Sequence, residues 1–371
     1  MSCDFISLAT EGVRTLKPYQ PGKPVEEIER ELGLRDVVKL ASNESPLGPG
    51  TAAREAAAHA LENVSRYPDG NGTVLKQTLA RKLGVGEDRL TLGNGSNDVL
   101  ELAVRAFVTP EHEVIFSEHA FAVYPLATQA VSARAVVTPA KDWGHDPEAM
   151  AKGLTDRTRV IFIANPNNPT GTWVDTNSLE RLIRSVPEHV IVVVDEAYCD
   201  YVEAPDYPDC VSWLERYPNL VVTRTFSKAY GLAGLRVGYA VSHPQVADLM
   251  NRVRQPFNVN SVALAAAAGA LEDDEHLSRS VAVNKSGMAQ LTEAFDAMGL
   301  DYIPSAGNFV SVNVGRRGSQ VFEALLKRGV IVRPVDNYGM PEHLRVTVGL
   351  EQENVRFLEA LAKVLSPRGR S

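Results

Sequence analysis

The stretch T-F-S-K-A-Y-G-L-A-G-L-R-V-G, Thr225 to Gly238, follows an apolar run, Leu220-Val221-Val222, that reads as a buried strand. It sets a single lysine, Lys228, just past that strand, with the hydroxyls of Thr225 and Ser227 before it and Gly231, Gly234 and Arg236 after it. Two readings are open at this point. Lys228 is either a solvated loop lysine or the covalent anchor of a carbonyl cofactor, with Thr225, Ser227 and Arg236 around that cofactor's anionic group. The rest of the chain decides between them.

Outward from this strand, apolar runs alternate with helical patterns. Strands are expected at 89–93, 114–117, 133–138, 160–164, 190–194, 220–225 and 237–241, and helices at 51–63, 73–83, 99–107, 121–130, from Asp146-Pro147 onward, and up to Ser185. Strands that are apolar throughout and separated by helices imply an α/β fold: a mainly parallel sheet of seven-stranded type, sandwiched by helices. Beyond it come helices at 262–271 and 277–298. Strands near 301–303, 308–312, 330–333 and 344–348 and helices near 319–327 and 353–364 then read as a smaller α+β domain. Before the sheet, a short helix leads into L-K-P-Y-Q-P-G-K-P (16–24), whose prolines favour an extended arm containing Tyr19. The expected division is an arm at 1–41 joining the small domain, a large domain at 42–272 and a small domain at 273–371.

Composition narrows the function. A net charge of -8 argues against a nucleic-acid-binding surface. Cys3, Cys199 and Cys210 show no C-x-x-C spacing and leave an odd count, which supports neither a disulfide framework nor a zinc site and fits reduced thiols in a cytoplasm. The N-terminus lacks a basic segment followed by an apolar core, so no signal peptide is expected, and no apolar run approaches membrane-spanning length.

In a parallel sheet the ligand sits beyond the carboxyl ends of the strands. That rule draws together Asn168 of N-P-N-N-P-T-G (165–171), Asp195 and Tyr198 of D-E-A-Y, and Lys228. Another strand runs into G-N-G-S-N-D (93–98) and then a helix, so Gly95, Ser96 and Asn97 would present backbone N–H groups and the positive end of a helix dipole to a phosphate. The alternative for this turn is a plain capped helix with Ser96 as N-cap. It is neither a dinucleotide fingerprint nor a P-loop, since Asp98 takes the place of the third glycine and no G-K-S/T follows. If Lys228 carries a pyridine aldehyde, Asp195 would keep the ring nitrogen protonated. A buried carboxylate there asks for a cationic partner; Mg²⁺ is disfavoured because no further acidic cluster accompanies Asp195-Glu196, and no metal is expected. Asn168 and Tyr198 are the right types to donate to the ring oxygen. Phe121, opening the helix at 121–130, could lie over the ring face.

Together, G-N-G-S-N-D, N-P-N-N-P-T-G, V-D-E-A-Y and the Thr225–Gly238 stretch resemble the fold type I pyridoxal-phosphate aminotransferases. With P-Y-Q-P-G-K-P, K-L-A-S-N-E-S-P and L-R-V-T-V-G added, the chain resembles the histidinol-phosphate aminotransferases among them, over nearly its whole length. That resemblance implies pyridoxal 5'-phosphate as cofactor and Lys228, Asp195 and Tyr198 as the catalytic set. Asn168 would join Tyr198 at the ring oxygen, with Ser96, Asn97, Thr225, Ser227 and Arg236 at the phosphate. Tyr67 would reach the phosphate of a neighbouring subunit's cofactor, which implies a homodimer with shared sites. Asn43 and Arg345 would bind substrate, the latter through a carboxylate, and Arg333 with Tyr19 would take a substrate phosphate. The implied reaction is amino transfer from histidinol phosphate to 2-oxoglutarate, giving imidazole acetol phosphate and glutamate in histidine biosynthesis. The same chemistry on aromatic amino acids is the second reading, and an amino-acid phosphate decarboxylase on the same scaffold the third. A cofactor-binding regulatory module would need an attached DNA-binding domain, and no basic helix-turn-helix stretch is visible. Two positions depart from the pattern: Phe121 replaces a ring-stacking tyrosine, and Ser45 replaces the second asparagine of the turn.

Overall fold

Seven strands form the main sheet: β1 (Leu90–Gly93), β2 (Glu113–Ser117), β3 (Arg134–Thr138), β4 (Thr158–Ala164), β5 (Ile191–Asp195), β6 (Leu220–Thr225) and β7 (Gly238–Ser242). In this computed structural model, which describes residues 3–18 and 24–366, their order is β1-β7-β6-β5-β4-β2-β3. Every pairing is parallel except those of β7, which runs antiparallel to both β1 and β6. The carboxyl ends of β1, β2, β4, β5 and β6 therefore share one edge, and the first residue of β7, Gly238, lies there too, opposite Gly93 and Thr225.

The strands are apolar because both faces are covered. Alternate residues of one strand enter different cores: Ile161, Ile163, Val192, Val194 and Val222 pack on one side, and Val160, Phe162, Val193 and Val221 on the other. Helices α1 (Ser96–Phe107) and α2 (Val123–Ala130) cover the second face. The first face is covered in part by α3 (Thr176–Ser185) and α4 (Ser261–Leu271).

After α4 the long helix α5 (Asp274–Met298) leads to an antiparallel sheet of β8 (Tyr302–Ile303), β9 (Phe309–Asn313), β10 (Arg333–Val335) and β11 (Met340–Thr347), in the order β8-β9-β11-β10. This sheet has its own core, formed with α5 and the last helix, α6 (Glu351–Leu365), and that core also takes in Leu40. Val38-Lys39 pairs in parallel with Val330-Ile331, which ties the chain just before residue 41 to this unit.

Several expected boundaries are corrected. The run at 330–333 is not one strand: Val330-Ile331 pairs with Val38-Lys39, whereas Arg333–Val335 turns to β11. The helix expected at 121–130 starts at Val123, and Phe121 sits in the connection after His119, whose φ of 55° bends the chain away from β2. A helix at Val25–Leu32 and a hairpin of Ala140-Lys141 with Gly144-His145 were not anticipated. The hairpin turns on Asp142 and Trp143, both at positive φ (50° and 65°), a conformation that Trp scarcely signals in a sequence. Among the described residues no helix is long and apolar enough to cross a membrane, and no His, Cys, Asp and Glu cluster could hold a metal ion.

Candidate active site

Asp195 ends β5 and is 4% exposed. Thr223 of β6 stands directly opposite it and donates its hydroxyl to Asp195 Oδ1 at 2.9 Å, while the Tyr124 hydroxyl from α2 donates to Oδ2 at 2.9 Å. Both carboxylate oxygens thus have hydroxyl partners from the protein itself. Burial pushes its pKa up to about 6, against the opposing effect of these two hydroxyls and the Ala197 N–H.

Lys228 follows β6 in the sharp connection to β7. Its Nζ donates to the Ser42 carbonyl at 3.1 Å and lies 5.7 Å from the centre of the Tyr198 ring. Burial first, then the guanidiniums of Arg345 and Arg236, lower its pKa to about 7, opposed by Glu44 and Asp195. A lysine so placed is a free amine for much of the time at neutral pH, which an ordinary surface lysine is not. The unfolded chain holds this proton up to about pH 10.5, so stability from this group is lowest below pH 7 and recovers as pH rises from about 7 to 10.5. In cofactor-free protein, acylation of Lys228 followed by peptide mass spectrometry is expected to show a midpoint near pH 7. A midpoint above about 9 would contradict this environment.

Tyr198 sits three residues after Asp195. Its hydroxyl accepts from Asn43 Nδ2 at 2.9 Å, and burial raises its pKa to about 12. Asn43 itself is buried at φ 54° and donates its backbone N–H to Thr347 Oγ1 at 2.9 Å, linking the turn after residue 41 to β11. Arg345, 7% exposed, donates through Nη1 to Asn168 Oδ1 at 2.6 Å and through Nη2 to the Ala41 carbonyl at 2.7 Å. A guanidinium only donates, so Asn168 must turn its oxygen to Arg345 and keep Nδ2 as its donating end. Arg333 and Arg345 are direct partners across β10 and β11, which puts both side chains on one face.

Past the carboxyl end of β1, α1 begins at Ser96 with Gly95 as N-cap at φ 87° and no side-chain cap bond. This decides against Ser96 as an N-cap and leaves the start of the helix to an external acceptor. A Cβ on Gly238 would lie 2.5 Å from Ser96 N, and one on Gly95 would lie 2.5 Å from Arg236 Nη2. Lacking side chains, these glycines let the start of β7 and the Arg236 guanidinium come up against the start of the helix. Arg236, at φ 57°, also reaches Ser227 Oγ at 3.4 Å, and Thr225 Oγ1 accepts the Ser227 N–H at 3.1 Å.

Residues far apart in sequence therefore meet at one sheet edge: Gly95, Ser96, Asn97, Asn168, Asp195, Tyr198, Thr225, Ser227, Lys228 and Arg236, with Asn43 and Arg345 joined by direct bonds. Phe121 is half-buried and meets Tyr124 edge-on, at 6.0 Å and 87°. Tyr67 is not part of this network: it is 83% exposed and stacks on Phe257 at 4.8 Å. Tyr19 lies outside the described residues. Tyr124 and Thr223 were missed by sequence reasoning. Tyr124 stands three residues after Phe121, and Thr223 is a hydroxyl in an otherwise apolar strand two residues before Thr225; both signals were present.

The model of the family "Aminotransferase class I and II" matches residues 35–361. The chain belongs to that family. This aminotransferase is 59% identical over 361 residues to histidinol-phosphate aminotransferase 1 of Nitrosococcus oceani, covering 97% of this chain and 98% of that one. It is 60% identical over 368 residues to histidinol-phosphate aminotransferase 2 of Pseudomonas fluorescens, covering 99% and 100%. Among solved structures it matches histidinol-phosphate aminotransferase from Sinorhizobium meliloti in complex with pyridoxal-5'-phosphate, with a TM-score of 0.88 and 28% identity over 96% of this chain and 97% of that one.

Proposed function

We propose that this aminotransferase moves the amino group of histidinol phosphate to 2-oxoglutarate, using pyridoxal 5'-phosphate. The residues fit that cofactor. Lys228 is an amine of lowered pKa near a buried carboxylate, and the α1 start, which no side chain caps, has the Arg236 guanidinium brought up against it at Gly95, as a phosphate site requires. The bound group would supply an electron sink next to the substrate carbon. Lys228 would hold it covalently, and once displaced by the substrate amine would carry the proton away from that carbon. Asp195 would hold the ring-nitrogen proton, and Asn168 and Tyr198 the ring oxygen. Ser96, Asn97, Thr225, Ser227 and Arg236 would bind the phosphate, with Phe121 against the ring face.

The observation that carries the substrate reading is the pair Arg333 and Arg345, opposed on one sheet face, with Arg345 bonded to Asn168. Two planar guanidiniums can receive a phosphate or a carboxylate in one pocket, as this donor and this acceptor demand. The shared name of the relatives selects histidinol phosphate among such amines. Arg333→Ala is expected to raise KM for histidinol phosphate at least about tenfold more than KM for glutamate. Equal effects on both would remove Arg333 from phosphate binding, and a kcat/KM higher for phenylalanine than for histidinol phosphate would replace the named donor.

The reading extends to assembly. Tyr67, with Asn43 and Tyr19, would complete the site, Tyr67 from a second copy in a homodimer; its exposure beside Phe257 supports an interface there. The cysteines Cys3, Cys199 and Cys210 are all free, which supports a cytoplasmic protein. The arm at 1–41, the large unit at 42–272 and the small unit at 273–371 would be its working parts.

A further inference from the structure

Among the described residues Tyr124 is the largest polar side chain sealed completely inside the fold, at 0% exposed. Its ring lies flat on Phe162, at 4.6 Å and 1°. Phe162 of β4 pairs with Val193 of β5, so Phe162, Val193 and, two residues on, Asp195 share one face of the sheet. Thr223 joins that face as the partner of Asp195. The stack therefore delivers the Tyr124 hydroxyl to Asp195 Oδ2 at 2.9 Å, while its ring edge meets Phe121.

A phenylalanine would fill the same volume and stack as well. The hydroxyl is accounted for only by the carboxylate. We propose that Tyr124 is a positioning residue for amino transfer: with Thr223 it fixes both Asp195 oxygens and keeps that carboxylate ionised against the ring nitrogen of the cofactor. This rests on the cofactor reading above. It also couples two parts of the site, since Tyr124 touches both the carboxylate and Phe121.

The arrangement is electrostatically consistent. Burial opposes ionisation of Asp195 and the neighbouring Glu196 adds to that opposition, whereas the Tyr124 and Thr223 hydroxyls favour the charged form. Lys228 faces the carboxylate from the connection after β6, and Tyr198 from the connection after β5. The Tyr124 phenol is itself held well above its ordinary range by burial and by Asp195, so it remains a donor at any working pH.

The test uses holoenzyme with Tyr124→Phe. Expected are a kcat lower by about tenfold or more, KM for the amine within about twofold, and a shifted pH titration of the bound cofactor's visible absorbance. Both proteins are then reconstituted with a cofactor analogue in which carbon replaces the ring nitrogen, and single turnovers with glutamate are compared. The ratio of wild type to variant is expected to fall to about one, because Asp195 then has no proton to hold. A ratio unchanged by the analogue, or an unshifted titration with the natural cofactor, would reduce Tyr124 to packing and overturn the proposal. Phe162→Leu, which keeps the hydroxyl and removes its support, is expected to move the same titration in the same direction, and its failure to do so would also count against the proposal. Wild type that takes up no cofactor would instead refute the proposed function.

Discussion

Lys228→Ala is expected to remove the visible absorbance of the lysine-linked cofactor and to lower kcat by about 10⁴-fold or more, because one side chain supplies both the covalent anchor and the proton carrier. The size follows from the geometry. Among the described residues no second amine stands in the cluster; the neighbouring cations, Arg345 and Arg236, stay protonated at any working pH and cannot take a proton from carbon. Lys228→Arg separates charge from chemistry. It preserves the positive charge near the Ser42 carbonyl but offers no free amine, so it is expected to be as inactive as the alanine variant. Turnover and absorbance retained in either variant would return Lys228 to an ordinary loop lysine and sink the proposed function with it. Retained absorbance without turnover would separate anchoring from proton transfer.

The fold was legible where burial is uniform. Strands β4, β5 and β6 are apolar on both faces, and a run such as Val192-Val193-Val194 has few other places to go. The candidate site was legible for a related reason: a parallel sheet delivers the residues just past several strand ends to one edge, so Asn168, Asp195, Tyr198 and Lys228 could be brought together from chain order alone. What a one-dimensional reading lacks is the partner across space. It could not name the hydroxyls that hold the Asp195 carboxylate, which come from Thr223 and Tyr124, 28 and 71 residues away in sequence. It likewise gave Asn43 and Asn168 to ligands. Each also serves the protein, Asn43 by holding Tyr198 and Asn168 by receiving Arg345. The break at Val332 between two sheets was hidden because both halves of 330–335 are strand-like, and only the partner strands tell them apart.

Asp195→Asn is the complementary substitution, and its two effects are expected to have opposite signs. Activity is expected to fall by about 10³-fold, since the amide keeps the shape but cannot hold a proton on the ring nitrogen by charge. The fold survives the change. The hydroxyls of Tyr124 and Thr223 can each accept as well as donate, so the Asn Nδ2 finds a partner and Oδ1 can still accept the Ala197 N–H. Stability of the cofactor-free protein is expected to rise. The folded-state pKa of about 6 lies above the value of 3.8 for a free aspartate, so the folded protein binds the proton more tightly, and stability is lost as pH climbs from about 4 to 6. Above pH 6 the full penalty applies, about 3 kcal/mol for a shift of some two pKa units in a wholly buried group. Thermal melting of the two cofactor-free proteins from pH 4 to 8 measures it: the variant's advantage is expected to be small at pH 4 and to reach a plateau above about pH 6.5. A wild type more stable than the variant at pH 8 would mean that Asp195 is no strained charge awaiting a cation. In the proposed function that cation is the protonated ring nitrogen, so part of the cofactor's binding energy is the relief of a penalty already present in the fold.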